Sequence, residues 1–216
     1  MEWGPKALTM THLLLIRHAT NDMMESGILA GWTPGVHLNE RGRVEAEALA
    51  RRLAQVEIAA VYASPLERAL ETAEIVAAPK NLPVTVREEL GEVRCGRWTG
   101  QKIERLRRRR LWRQVQIAPS TVRFPGGESM LEVQARMRAE LERLCAAHPR
   151  QTVAVVSHAD PIKAAVASFI GLPLDLFQRL VVGPASLTVL ELNGVLPRLV
   201  CLNDASHLPP VEKGKP

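Results

Sequence analysis

The chain is short of the residues that build a metal or disulfide scaffold. Its 216 residues include three cysteines, Cys95, Cys145 and Cys201, an odd number with no C-x-x-C pair. That spacing fits neither a zinc site nor a disulfide framework, so idle or buried thiols in a reducing cytoplasm are expected. No apolar run approaches the roughly 20 residues of a spanning helix, which argues against a membrane partner. The opening Met1-Glu2-Trp3-Gly4-Pro5-Lys6 has no basic region leading into an apolar stretch, so no secretory signal is expected. An internal repeat is also lacking.

What is present is enough apolar material for one core: 46% hydrophobic and 24% charged residues, the profile of a single globular domain at this length. The net charge is +5. Much of the excess lies in Arg105-Leu106-Arg107-Arg108-Arg109-Arg110-Leu111-Trp112-Arg113. No nucleic-acid motif accompanies the run, so a nucleic-acid partner is not expected. A solvated helix face and a basic lid over a phosphorylated substrate both fit it. Helical neighbours point in different directions, so at most one or two of these arginines would meet a second anionic group.

Two apolar runs each end in a histidine: Leu13-Leu14-Leu15-Ile16-Arg17-His18 and Val153-Ala154-Val155-Val156-Ser157-His158. Such runs fit strands buried on both faces of a largely parallel sheet, and ligands sit beyond the carboxyl ends of those strands. Further strands are expected at 58–63, 84–90, 187–192 and 196–202, the last two joined by a hairpin turn at Asn193-Gly194. A helix should follow Asn39 as N-cap, and another should carry Pro65 in its first turn. Residues 101–115 read as one basic helix. Ser129 to Glu132 is a capping box that opens a helix with Met130, Val133, Met137, Leu141 and Leu144 on one stripe. Asp160 should cap a helix with Pro161 at its first position and Gly171 after its end. Alternating strands and helices argue for an α/β layered fold. Trp98 and Trp112 read as packing residues.

Four places can carry chemistry. Arg17 offers a bidentate phosphate clamp, and His18 beside it can attack phosphorus through an unprotonated ring nitrogen. Arg68 falls near a helix N-terminus, which already favours anions, although a surface pair with Glu67 or Glu71 accounts for it equally. Glu92, in a glycine-punctuated loop, suits a general acid and then a base for water. His158, if protonated, would donate to phosphoryl oxygens. Each alone has a bland structural alternative.

Taken together and in order, the pieces resemble the histidine phosphatase superfamily, in its phosphoglycerate-mutase-like branch. They are Leu15-Ile16-Arg17-His18-Ala19-Thr20, Leu38-Asn39-Glu40-Arg41-Gly42, the stretch from Ala63-Ser64-Pro65 to Glu71-Thr72-Ala73, Gly91-Glu92 with Gly96-Arg97-Trp98-Thr99-Gly100, Pro125-Gly126-Gly127-Glu128-Ser129, and Val156-Ser157-His158. The resemblance spans about residues 11 to 192, and the tail Leu202 to Leu208 looks like that of some phosphatase members. It implies a three-layer α/β/α sandwich around a mostly parallel mixed sheet, one domain over residues 9–208, with a small helical cap at about 100–130 and flexible termini at 1–8 and 209–216. It implies a phosphohistidine at His18, phosphoryl contacts from Arg17, Arg68 and His158, proton donation by Glu92, and no metal or cofactor. Departures stand at Ala19, usually glycine and tolerable only if the backbone avoids a glycine-only conformation; at Thr20, often glutamate, whose hydroxyl is expected to reach phosphate; and at Met24, where several members have an asparagine ligand that Asn21 here would replace. The expected activity is a metal-independent phosphomonoesterase acting on a small phosphorylated metabolite. The alternatives are a phosphoglycerate-mutase-type phosphomutase and a catalytically weakened phospholigand- or partner-binding protein. Substrate identity and homo-oligomerisation stay open.

Overall fold

A computed structural model of the chain describes residues 10–192 and 196–209. Strands β1 (Thr11–Arg17), β2 (Ala60–Ala63), β3 (Val84–Val86), β4 (Thr152–Ser157), β5 (Leu187–Leu192) and β6 (Arg198–Asp204) form one sheet in the order β3-β2-β4-β1-β5-β6. The first four in that order are parallel, while β5 runs antiparallel to both β1 and β6. The helices are α1 (Asp22–Glu25), α2 (Glu40–Arg52), α3 (Glu67–Ala77), α4 (Ile103–Arg107), α5 (Arg110–Ile117), α6 (Met130–Ala147) and α7 (Ala159–Phe169).

The uninterrupted apolar runs have a direct cause. Alternate strand residues face opposite sides. Leu13, Leu15, Val153 and Val155 pack against Met137, Leu141 and Leu144 of α6 and Ile162 and Val166 of α7. Leu14, Ile16, Ala154 and Val156 pack against Leu49 of α2 and Ala69, Ala73 and Val76 of α3. Helices therefore cover both faces, giving the expected α/β/α layers. The Asn39 cap forms, its Oδ1 accepting from the Gly42 N–H at 2.9 Å. The Ser129–Glu132 capping box is complete, and Gly171, with φ +72°, follows α7.

Four element boundaries need correction. The basic stretch is two helices, broken where Arg109 turns extended at φ −88° and ψ 142°. Leu106 and Val115 both insert into one apolar cluster with Trp98 and Phe124. Nine residues apart on an unbroken helix they would point about 180° away from each other, so the break serves the packing. Helix α7 begins at Ala159 with His158 as N-cap, and Asp160 lies in its first turn, paired with Lys163 at 2.7 Å. Pro161 is tolerated there because first-turn N–H groups have no intrahelical acceptor. Pro65 precedes α3, whose N-cap is Leu66. Beyond β3 the chain forms a single 3₁₀ turn at Glu88–Leu90 rather than continuing extended. The Asn193-Gly194 turn and the outer parts of both termini lie outside the described residues. Trp98 is buried, stacked on Trp112 at 6.0 Å and edge-on to Phe124 at 5.4 Å, so Trp98 packs in the core and the half-buried Trp112 packs against it.

Candidate active site

Register places the two histidines side by side. Arg17 pairs with Ser157 across the parallel β1–β4 ladder, so His18 and His158 follow at the same level. The His18 N–H donates to the Ser157 carbonyl at 2.9 Å, and the ring centroids are 5.0 Å apart. Both rings are buried. His18 Nδ1 lies 2.8 Å from the Ala19 carbonyl. A carbonyl only accepts, so Nδ1 carries the proton and Nε2 keeps its lone pair. That lone pair receives the Arg68 Nε–H at 3.3 Å. Burial, then Arg68 and Arg17, push the His18 pKa well below its usual value, which keeps Nε2 unprotonated. His158 Nε2 lies 2.8 Å from Ser64 Oγ, and Arg68 Nη2 approaches its Nδ1 at 3.4 Å. Burial and then Arg68 also hold His158 well below the usual pKa, so it is a neutral donor, and the protonated form on which the sequence reading is conditional is not the one favoured.

The arginines are aimed by their backbone acceptors. Arg17 Nη1 donates to the Val182 carbonyl at 2.7 Å, and Arg68 Nη2 to the Gly31 carbonyl at 2.8 Å. Glu67 and Glu71 do not neutralise Arg68. They accept instead from the Gly35 and Leu38 N–H groups at 2.9 Å each, pinning the 31–38 loop to α3. Three buried donors, Arg17 Nε, Asn21 Nδ2 and Arg68 Nη1, have no hydrogen-bond partner among the described residues. All three residues line one cleft of about 220 Å³ with His18 and Glu92. Buried polar groups are rarely left unpaired. Three unpaired donors around a histidine lone pair make a cradle for an oxyanion.

Glu92 stands at the rim, with Oε2 3.7 Å from His158 Nδ1. Burial, then the Asp160 carboxylate, raise its pKa against the pull of Arg68, so it retains a proton to higher pH than a solvated glutamate. Its backbone is clamped: the Glu92 carbonyl accepts from Trp32 Nε1 at 2.6 Å and Arg136 Nη2 at 3.1 Å. Arg136 also holds the Gly91 carbonyl at 2.9 Å. The Gly96 and Pro125-Gly126-Gly127 motifs buttress the same loop. A Cβ at Gly96 would meet the Pro125 carbonyl at 2.3 Å, and one at Gly127 the Arg94 carbonyl at 1.8 Å.

The chain is similar to known proteins over most of its length. A family model described as the histidine phosphatase superfamily, branch 1, matches residues 13–205. The chain belongs to the histidine phosphatase superfamily. It is 32% identical to phosphoserine phosphatase 1 of Hydrogenobacter thermophilus over 204 residues, which covers 92% of this chain and 95% of that protein. It is 28% identical to the 2,3-bisphosphoglycerate-dependent phosphoglycerate mutase of Thermoplasma acidophilum, covering 93% and 96%. Among solved structures, Bacillus stearothermophilus YhfR superposes with a TM-score of 0.87 at 31% identity, covering 92% of this chain and all of that one.

Within this histidine phosphatase, the sequence expectations divide. Arg17, His18, Asn21, Arg68 and Glu92 meet in the cleft, and His158 touches it through Arg68. Asn21 has a double use: Oδ1 caps α1 by accepting from the Met24 N–H at 3.0 Å, leaving Nδ2 free for the cleft. Thr20 needs correction. Its hydroxyl donates to Glu45 Oε2 at 2.7 Å, so its one proton is committed away from phosphate. Ala19 is buried and absent from the positive-φ residues, so the extra methyl costs no backbone strain. Met24 contributes its thioether near Arg17 Nη2 at 3.8 Å. The exposed arginines from Arg105 to Arg113 line no part of the cleft, and the solvated-face reading holds for them. The supports Ser64, Val182, Arg136 and Thr72, whose Oγ1 accepts from the Ala19 N–H at 3.1 Å and donates to the Arg68 carbonyl at 2.7 Å, went unassigned in the sequence. Ser64 and Thr72 lie inside a quoted motif, but Val182 and Arg136 act through or on main-chain carbonyls and leave no side-chain pattern to find.

Proposed function

We propose that the protein is a metal-independent phosphomonoesterase working through a phosphohistidine at His18. The observation that carries this is the His18 Nε2 lone pair facing three unpartnered buried donors in one cleft. In the first step, Nε2 attacks phosphorus, the N–P bond forms and the ester P–O bond breaks. The Glu92 carboxyl gives its proton to the departing alkoxide. In the second, Glu92 as carboxylate takes a proton from water, the water oxygen attacks phosphorus, and the P–N bond breaks to release inorganic phosphate. Arg17, Arg68, Asn21 and neutral His158 stabilise the phosphoryl oxygens, and Ser64 fixes the His158 ring. Preorganised donors of this kind are each worth about 10²–10³-fold in rate.

Relatives named as phosphoserine phosphatase support a small phosphorylated metabolite as substrate. The mutase alternative gains no support from the cleft: its lining cations are Arg17 and Arg68, both used on a single phosphoryl group, with none for a second. The weakened-binder alternative rested on Ala19 and Met24, and the relaxed Ala19 backbone and the free Asn21 amide remove its basis. A cytoplasmic location is part of the same reading, supported by three free thiols, and no described helix is long and apolar enough to cross a membrane. The test is phosphate release from O-phosphoserine, 3-phosphoglycerate and p-nitrophenyl phosphate, with acid-quench trapping of an acid-labile phosphoenzyme. His18→Ala should abolish both signals, and turnover by that variant at the wild-type rate would refute the assignment.

A further inference from the structure

The phosphoryl cleft has a lining of two kinds. Besides the arginines, His18, Asn21 and Glu92, it includes Met24, Ile28, Leu29, Ala30 and Ile103. Leu29 and Ile103 also line a second cavity of about 260 Å³, so the two spaces share an apolar partition. Trp98, Trp112, Val115 and Phe124 form most of the second cavity. Either space alone falls below the roughly 300–1,000 Å³ of small-molecule sites, while the two together fall within it.

The charges around this second space are one-sided. Among the described residues no lysine or arginine lines it, and the one carboxylate in its lining is that of Asp160. Lys163, which pairs with Asp160 at 2.7 Å, also donates to Gln178 Oε1 at 2.7 Å and lies over the Phe177 ring, so its ammonium is already engaged. The cap arginines line neither cavity. A carboxylate or second phosphate placed here would lose its water with no free lining cation to replace it.

We infer that the second cavity seats the leaving alcohol, and that this alcohol has an apolar, ring-sized body with no second anionic group. The inference rests on the phosphomonoesterase reading and adds the substrate class. The aromatic wall Trp98–Trp112–Phe124 receives the alcohol's apolar body, Leu29 and Ile103 stand between it and phosphorus, and the want of a free lining cation disfavours anionic competitors.

The test compares four monophosphates of primary alcohols, whose leaving groups are of one chemical type: 2-phenylethyl phosphate, n-propyl phosphate, O-phosphoserine and 3-phosphoglycerate. In the wild type, kcat/KM for 2-phenylethyl phosphate should exceed that for n-propyl phosphate by about 10-fold or more, the effect of burying a phenyl ring, and should exceed both anionic esters. Trp112→Ala should bring the ratio of kcat/KM for the phenyl ester to that for n-propyl phosphate down toward one. Gln116→Arg, on an exposed rim position of the same cavity, spares the core and should raise kcat/KM for 3-phosphoglycerate about 10-fold. Hydrolysis with the anionic esters ahead in the wild type overturns this inference and leaves the phosphatase reading intact. No phosphate from any ester overturns both.

Discussion

Replacing Arg68 by methionine separates its electrostatic role from its bulk. The side chain is 1% exposed, and methionine fills similar space without charge. Two consequences follow at His18. Burial is the first cause of its lowered pKa and Arg68 the second. Removing the cation relieves that second cause, so the pKa rises and more acid is tolerated less well: the acid limb of kcat/KM moves to higher pH. The cleft also loses two donors, Nε toward His18 and the unpaired Nη1. At about 10²–10³-fold per donor, kcat/KM on the pH plateau should fall by at least roughly 10²-fold. Losing a desolvated cation is not itself destabilising, but the Gly31 carbonyl loses a donor, at about 1–3 kcal/mol for a buried group left unpaired. The assay is a pH series of kcat/KM with p-nitrophenyl phosphate, with a thermal melt to show that Arg68→Met folds. An acid limb that stays put or moves down, or a plateau within about fivefold of wild type, would refute the reasoning about His18.

Other substitutions probe separate parts of the cleft. Asn21→Ser keeps a capping oxygen for α1 and removes the unpaired amide, so inorganic phosphate should inhibit about 10-fold or more weakly, as expected for losing a hydrogen bond to a charged group; unchanged inhibition would take Asn21 out of the cradle. Thr20→Val should cost about 1–3 kcal/mol in denaturant titrations by stripping a donor from buried Glu45, with KM unchanged, whereas a raised KM without destabilisation would restore Thr20 as a ligand. Glu92→Gln should remove the alkaline limb of the pH profile, because that limb reports loss of a proton whose pKa lies above 4.5. His18 and His158 are held neutral when folded and take up protons below about pH 6.5 when unfolded. The unfolded state then binds more protons, so stability falls as pH drops through that value, by up to about 1.4 kcal/mol per pH unit for each histidine. The raised Glu92 pKa opposes this with one group against two, and chemical denaturation at pH 7.5, 6.5 and 5.5 reads the net slope.

The sequence made the fold legible where one physical rule acted alone. Apolar runs too long for one-sided burial required a sheet covered on both faces, and they are so covered. Asn39, Ser129 with Glu132, and Gly171 mark their helix ends because capping is local chemistry. Reading failed where tertiary packing overrode local pattern. Residues 101–115 carry helix-forming side chains throughout, yet Leu106 and Val115 reach one cluster only if the helix breaks between them. Asp160 is a good cap by type, but β4 hands the chain to α7 at His158 and leaves no room for a cap two residues on. In the site, residues whose side chains face the cleft were readable from their chemistry. Those that work by gripping main-chain carbonyls, Arg136 above all, were not. Thr20 shows the converse: a hydroxyl of the right type at the right place is turned away by a buried glutamate that only the fold brings near.

One property of the cleft does two jobs at once. Taking His18 and Glu92 out of water disfavours the charged form of each, so the base loses its proton and the acid keeps its own. That is the pairing the first step requires, and its opposite, an imidazolium beside a carboxylate, would be unreactive at both atoms. Arg17 and Arg68 reinforce the effect at His18 and oppose it at Glu92. Asp160 restores the balance on the glutamate without entering the causes that set His18. The arginines can therefore be placed for phosphate without discharging the acid, provided a second carboxylate stands behind it. Asp160→Asn isolates this: the alkaline limb of kcat/KM should move to lower pH while the acid limb stays, and movement of both limbs together would mean that Asp160 acts on the cleft as a whole and not through Glu92.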